Sequence, residues 1–275
     1  MSATEKFPIE YSCYLTKSRA GEKFSNSHAL SYIVSGAMIL TDEYGEYEIS
    51  AGESFFFTRN SLVKYAKYPP EGGIFKSITL FLDQSFLRNL ALELKVEPEE
   101  SILSRPFGRL KNNSLTADYM RSLLVYEKMI TEDKNSALLD LKRKEAVLIL
   151  ISENPGLKNI LFNFSAPGKI DLEGFMKKNF HFKVDLSRFA FLSGRSLSTF
   201  KRDFEKIFHT TPNRWLLDRR LDEAQQLIHS KHQKISDVYS EVGFEDLSHF
   251  SVAYKKRFGI PPSMDHKTML TKQLP

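Results

Sequence analysis

Between residues 7 and 82 the apolar positions come in short β-branched or aromatic runs separated by turn-formers. Leu30–Leu40 (LSYIVSGAMIL), Glu46–Ile49, Ser54–Arg59 with its three consecutive Phe, and Ile74–Asp83 (IFKSITLFLD) are the runs. Asp42–Gly45, Ala51-Gly52-Glu53 and Pro69–Gly73 punctuate them. Short strands at this spacing predict a β-sandwich or barrel. After about residue 84 the apolar period lengthens to three and four. Ser85–Leu94 reads as a helix, and Ser114–Thr131 carries Leu115, Tyr119, Leu123, Tyr126 and Ile130 on one face. Ser136–Glu153 is apolar nearly all round, which suits either a cover for the barrel or a helix–helix dimer contact. Asn154-Pro155-Gly156 then breaks the helical pattern, and helical periodicity resumes at Ile170. The expected fold class is α+β with two domains. Residues 1–100 form a β-barrel, 101–154 a helical covering or dimerisation segment, 155–169 a linker and 170–275 an all-α domain.

The all-α domain contains an internal repeat. Leu197–Pro212 (LSTFKRDFEKIFHTTP) and Leu247–Pro262 (LSHFSVAYKKRFGIPP) are offset by 50 and share six of 16 residues. Phe200, Phe204 and Phe208, matched by Phe250, Tyr254 and Phe258, recur every four residues and read as core. Upstream, LSRFAFLSG (186–194) matches ISDVYSEVG (235–243), and each segment ends at a glycine suited to a positive φ. Ser187 and Ser236 are expected to cap the first helix of each unit, and Ser196 and Asp246 the second. Capped helix, glycine turn, capped helix is a helix-turn-helix signature, and it occurs twice. The segment between the units, Asn213–His232, has one apolar stripe (Leu216, Leu217, Leu221, Ala224, Leu227, Ile228) and reads as a rigid connecting helix. Two readers mounted on such a rod can enter successive major-groove turns, about 34 Å apart.

Charge sharpens this reading. The 275 residues carry 39 Lys+Arg and 34 Asp+Glu, a net of +5. Residues 1–169 hold 21 of each sign, so the whole excess falls in residues 170–275, with 18 cations against 13 anions. A basic module beside a neutral one points to a polyanion partner. One cysteine, Cys13, excludes an intramolecular disulfide and a multi-Cys zinc site. No membrane-spanning run or signal-peptide pattern is present, so the expected address is the cytoplasm, without membrane association.

The first unit (FAFLSGRSLSTFKRDFEKIF), the connecting segment (RWLLDRRLDEAQQLI) and the second unit (VYSEVGFEDLSHFSVAYKKRFGIPP) together resemble the AraC/XylS family of bacterial transcription regulators. The resemblance implies sequence-specific binding to double-stranded DNA near promoters, usually with activation through RNA polymerase. It also implies a cupin-like N-terminal barrel for sensing and dimerisation, controlled by a small effector or a regulatory protein. Three features depart from the family pattern. His209 replaces the usual Gly after the first unit's last Phe, Tyr239 stands where a small residue is usual, and the second recognition helix has little to read bases with.

With the Phe positions pointing inward, the outward set of the first recognition helix is Arg195, Leu197, Ser198, Lys201 and Arg202. Arg and Lys donate to guanine O6/N7. The family resemblance makes Ser198, Lys201 and Arg202 the usual base readers. The second helix offers Leu247, Ser248, Ser251 and Val252, so it is expected to work mainly on phosphates through Ser248, Lys255 and Lys256.

The N-terminal region holds one histidine, His28, and no His-x-His, which argues against a cupin metalloenzyme; no cofactor or metal is expected. His229-x-x-His232 reads as a solvated helix end. Tyr32, Phe55, Phe57, Tyr65 and Phe75 are candidates to line an effector pocket, although their plainer reading is barrel core. Two other functions stay open on sequence alone. One is a ligand- or protein-binding cupin module without DNA reading, and the other is a cupin enzyme fused to a DNA-binding domain.

Overall fold

The computed structural model describes residues 8–15, 22–42, 45–96, 107–110, 114–127, 136–231 and 234–271. The chain divides into two compact units, Met1–Ser165 and Ala166–Pro275.

The first unit is built on two antiparallel sheets. One has the order β1 (Ile9–Tyr14), β8 (Phe75–Leu82), β3 (His28–Ser35), β6 (Ser54–Phe57), β9 (Phe107–Arg109). The other has the order β2 (Glu22–Ser25), β7 (Ser61–Tyr68), β4 (Ala37–Asp42), β5 (Gly45–Ser50). The long apolar run Leu30–Leu40 is therefore two strands in different sheets, broken at Gly36. That residue has φ +85°, and a Cβ there would lie 2.4 Å from the Tyr68 carbonyl oxygen. β3 lacks alternation because both its faces are covered. Toward the second sheet, Ile33, Met38, Leu40, Ile49, Phe55, Val63 and Phe75 form one core. On its other face Leu30, Tyr32, Phe56, Ile78 and Leu80 pack with the helices.

Those helices are α1 (Gln84–Glu93), α2 (Leu115–Ser122) with a 3-10 turn at Leu123–Tyr126, α3 (Ser136–Glu153) and α4 (Leu157–Leu161). The last four residues of the expected helix Ser114–Thr131 lie outside the described residues. α1 starts at Asp83, whose carboxylate accepts from the Phe86 backbone N–H. Buried Arg143 on α3 pairs with Asp83 and Asp140 and donates to the Phe81 carbonyl 3.1 Å away, which locks α3 to the sheet. Part of the expected linker belongs to this unit. Arg59 donates to the carbonyls of Asn163 (2.8 Å) and Ser165 (2.6 Å), and Arg88 sits 4.4 Å over the Phe164 ring.

The second unit is helical: α5 (Leu172–Asn179), α6 (Leu186–Leu192), α7 (Leu197–Phe208), α8 (Pro212–Lys231), α9 (Ile235–Glu241), α10 (Leu247–Phe258) and α11 (Pro262–Thr271). α8 buries Leu216, Leu221, Ala224, Leu227 and Ile228, the apolar stripe of the connecting segment, while Leu217 is half-buried. Among the described residues, no helix is long and apolar enough to cross a membrane, and no group of three or more His, Cys, Asp or Glu is placed to hold a metal ion.

Candidate nucleic-acid interface

Each half of the repeat folds as two helices around a tight glycine turn. α6 ends with Gly194 at φ +69°; its N–H donates to the Phe191 carbonyl, and the Arg195 N–H donates to that of Ala190. α9 ends in the same way at Gly243, φ +96°, with the pair Gly243 to Ser240 and Phe244 to Tyr239. Both turns are Schellman closures, which satisfy the last carbonyls of the first helix and aim the chain into the second. Ser196 and Asp246 cap the second helices as expected, accepting from the N–H groups of Thr199 and His249. The expected caps of the first helices move by two residues. Asp185, not Ser187, caps α6, and Lys234 occupies the cap of α9 while Ser236 lies inside that helix. Asp185 wins because its carboxylate reaches the Arg188 N–H at 2.7 Å. His209 adopts the left-handed conformation (φ 52°) that closes α7, as Gly259 does for α10. Tyr239 is half-buried against the core of the second unit.

Phe200, Phe204, Phe250 and Tyr254 are fully buried, and the residues on the opposite faces of α7 and α10 are largely exposed. On α7, Ser198, Lys201 and Arg202 are exposed near its N-terminal end, with two-thirds of the Arg202 side chain in solvent. On α10, Leu247, Ser248 and Val252 are exposed, Ser251 is half-buried, and Lys255 and Lys256 are exposed near the C-terminal end. Arg195 departs from the outward set. Its side chain is 9% exposed, and its guanidinium bonds Asp203 (3.2 Å) and the carbonyls of Ile170 (3.0 Å) and Ser193 (2.7 Å). It stands before the first turn of α7, so helical spacing does not govern its direction. Asp203 is held below the usual carboxylate range, first by the hydrogen bond from Arg195 and then by Lys169 and Arg202.

Sequence reasoning missed three groups at this site. Trp215 on α8 packs on Phe204 and Phe208, with ring centroids 5.7 and 4.7 Å away. Asp265 on α11 accepts from Tyr254 at 2.6 Å and lies 2.9 Å from His229 Nε2. His229 is thus tied to a carboxylate rather than being a solvated helix end, and His232 lies outside the described residues. Arg220 on α8 bonds three backbone carbonyls. Apolar periodicity carries no signal for such ties, because their partners lie on other elements.

Of the proposed effector residues, Phe55 and Phe75 are completely buried between the sheets, and Phe57 and Tyr65 pack partly buried against them. Tyr32 does not join them. It lies on the opposite face of the sheet among the helices, and its hydroxyl accepts from Arg121. The α+β reading holds across the described residues, and the alternation that separates Phe56 from Phe55 and Phe57 is what the pleat produces.

Comparison with known proteins agrees with this geometry. A helix-turn-helix domain family matches residues 190–267, and the family described as ExsA N-terminal regulatory domain matches residues 28–161. The HTH-type transcriptional regulator ExsA of Pseudomonas aeruginosa is 26% identical over 239 residues, covering 84% of this chain and 83% of that protein. The virulence regulon transcriptional activator VirF of Yersinia enterocolitica is 31% identical over 140 residues, about half of each chain (50% and 52%). A crystal structure of ToxT from Vibrio cholerae aligns with 96% of this chain and 98% of that one, at a TM-score of 0.45 and 14% identity. The matches to ExsA and VirF favour a DNA-binding regulator over a cupin module without DNA reading. With a doubled helix-turn-helix at one end and a β-rich regulatory domain at the other, the chain belongs to the AraC/XylS family of transcription regulators.

Proposed function

We propose that the protein is a sequence-specific transcription activator in which α7 reads most of the bases and α10 mainly anchors the complex on phosphates. The observation that carries this division is the contrast between the two exposed faces. α7 offers Lys201 and Arg202 beside Ser198, whereas the matching stretch of α10 offers Ser248, Ser251 and Val252. A bidentate guanidinium–guanine contact discriminates by about 1–3 kcal/mol, while leucine and valine touch only thymine methyls. Lys255 and Lys256 carry charge without base information. In this reading RNA polymerase is the downstream partner, the protein acts in the cytoplasm, and it performs no catalysis of its own. A small effector or a regulatory protein acts on the first unit, where Phe57 and Tyr65 are, with Tyr14 and Tyr47, partly exposed around the buried Phe55 and Phe75. The exposed apolar side of α3 supports a homodimer.

The test compares binding to the cognate promoter with binding to random duplex. Arg202→Ala is expected to lose about tenfold or more of the difference between them. Lys255→Ala is expected to weaken both alike and to lower the salt dependence by about one ion. Discrimination left intact by Arg202→Ala would overturn the assignment of α7 as the reading helix.

A further inference from the structure

The two recognition helices are tied to α8 by separate contacts. Trp215 packs on Phe204 and Phe208 of α7, and Arg257 of α10 pairs with Asp218 (2.7 Å) and Asp222 (2.7 Å). Each of these joints fixes one unit to the rod. Arg220, near the middle of α8, joins both units at once. Its Nε donates to the Phe180 carbonyl (2.8 Å) and its Nη2 to that of Phe182 (2.7 Å), in the loop that leads into the first helix-turn-helix. Its Nη1 donates to the carbonyl of Gly243 (3.0 Å), the turn residue of the second. The backbones meet closely here. A Cβ on Gly243 would lie 2.6 Å from the His181 carbonyl oxygen and 3.0 Å from Arg220 itself. The guanidinium is planar with donors in fixed directions, so three carbonyls on one such group specify an angle as well as a distance.

We propose that Arg220 is a positioning residue that sets which spacing between its two DNA half-contacts this protein accepts. The inference rests on the reading that both units contact one duplex. Successive major grooves recur every 10–10.5 base pairs, about 34 Å. One inserted base pair moves the second groove by about 3.4 Å and turns it by roughly 34°. Units locked at a fixed angle cannot follow such a change without losing contacts. Units whose turns are no longer clamped together can.

The experiment uses the full chain and duplexes that the wild-type protein selects from a randomised pool, with footprinting to locate the two protected segments. Spacers one base pair shorter and longer are then compared with the selected length. The wild type is expected to lose about tenfold or more in affinity on either change, as for a poorly fitting base pair. Arg220→Met is expected to bind the selected spacing less tightly and to lose less than about threefold on changing it. It should bind a duplex carrying the first segment alone as well as the wild type does. Arg220→Lys, which keeps the charge and loses the fork, should fall between. A folded Arg220→Met protein, checked by thermal melting, that keeps the wild-type spacer penalty would overturn the proposal. If the Met variant melts below the assay temperature, Arg220→Lys is judged by the same criterion. A selected site with only one protected segment would overturn the two-unit reading itself, and this inference with it.

Discussion

His28 shows how one buried polar side chain can set a protein's response to acid. It is 2% exposed, stacked 5.5 Å from the Phe56 ring, and its Nδ1 accepts from the Arg59 N–H at 3.1 Å. The proton of the neutral ring therefore sits on Nε2, which finds no acceptor among the described residues. Burial, reinforced by the Arg59 charge, pushes its pKa down to about 3. Between pH 6.5 and 3 the unfolded chain binds a proton that the folded chain refuses, so stability falls as pH drops through that window, by up to about 1.4 kcal/mol per unit. His28→Asn, whose carbonyl can take the same N–H, is expected to flatten that dependence. Urea midpoints at pH 7 and pH 4.5 measure it, and equal losses in variant and wild type would assign the acid sensitivity elsewhere. His28 was legible in the sequence as the lone histidine of the barrel region, but its partner was not, because Arg59 reaches it through a backbone group. The same limit applies to Arg195 and Tyr32. Both look available by residue type, but Arg195 is held in part by the Ile170 carbonyl 25 residues away and Tyr32 by Arg121, 89 residues on.

At the scale of elements the repeat explains itself through its exceptions. Phe204 and Tyr254 occupy matching places on α7 and α10, and at the same offset of 50 Trp215 and Asp265 occupy matching places on α8 and α11. In the first unit the ring of Phe204 meets the Trp215 ring edge-on at 5.7 Å. In the second, the Tyr254 hydroxyl donates to Asp265, which is 4% exposed and also held by His229. The two positions change together, so one helix pair is closed by an aromatic contact and the other by a buried hydrogen bond. Tyr254→Phe leaves the Asp265 carboxylate short of a donor and should cost about 1–3 kcal/mol, a drop of several degrees in melting temperature. An unchanged melting curve would show that the hydroxyl contributes nothing. Periodicity made the helices of both units legible, because apolar spacing decides them locally. The break at Gly36 was not, since it depends on Tyr68, a residue in another strand that crowds the turn. β9 escaped for a related reason: three residues alone carry no period, and Phe107–Arg109 is a strand through its pairing with β6.

At the scale of the whole molecule, α3 supplies an argument about self-association. Leu139, Arg143, Ala146, Val147 and Leu150 face inward, while Leu141 and Leu148, seven residues apart on the opposite side, are 60% and 45% exposed. This is why the helix reads as apolar nearly all round: one side serves the barrel, and the other carries apolar side chains that stay exposed among the described residues. Leu115 (57% exposed) and Val125 (81%) add exposed apolar surface on the neighbouring elements of the same unit. Two leucines alone fall well short of the roughly 800 Å² per partner of a stable interface, so the proposed homodimer contact needs more of α3 and its neighbours. Replacing both Leu141 and Leu148 by Glu puts like charges on each copy of a symmetric contact, where they meet each other. Sedimentation of the full chain should then shift from dimer to monomer, and the apparent affinity for paired operator sites should fall by about a hundredfold or more as avidity is lost. Binding to a single site should change little, since the two substitutions lie in the other unit from α7 and α10. A double variant that still sediments as a dimer would move the interface off α3, and a wild-type chain that is monomeric both free and on paired sites would remove it.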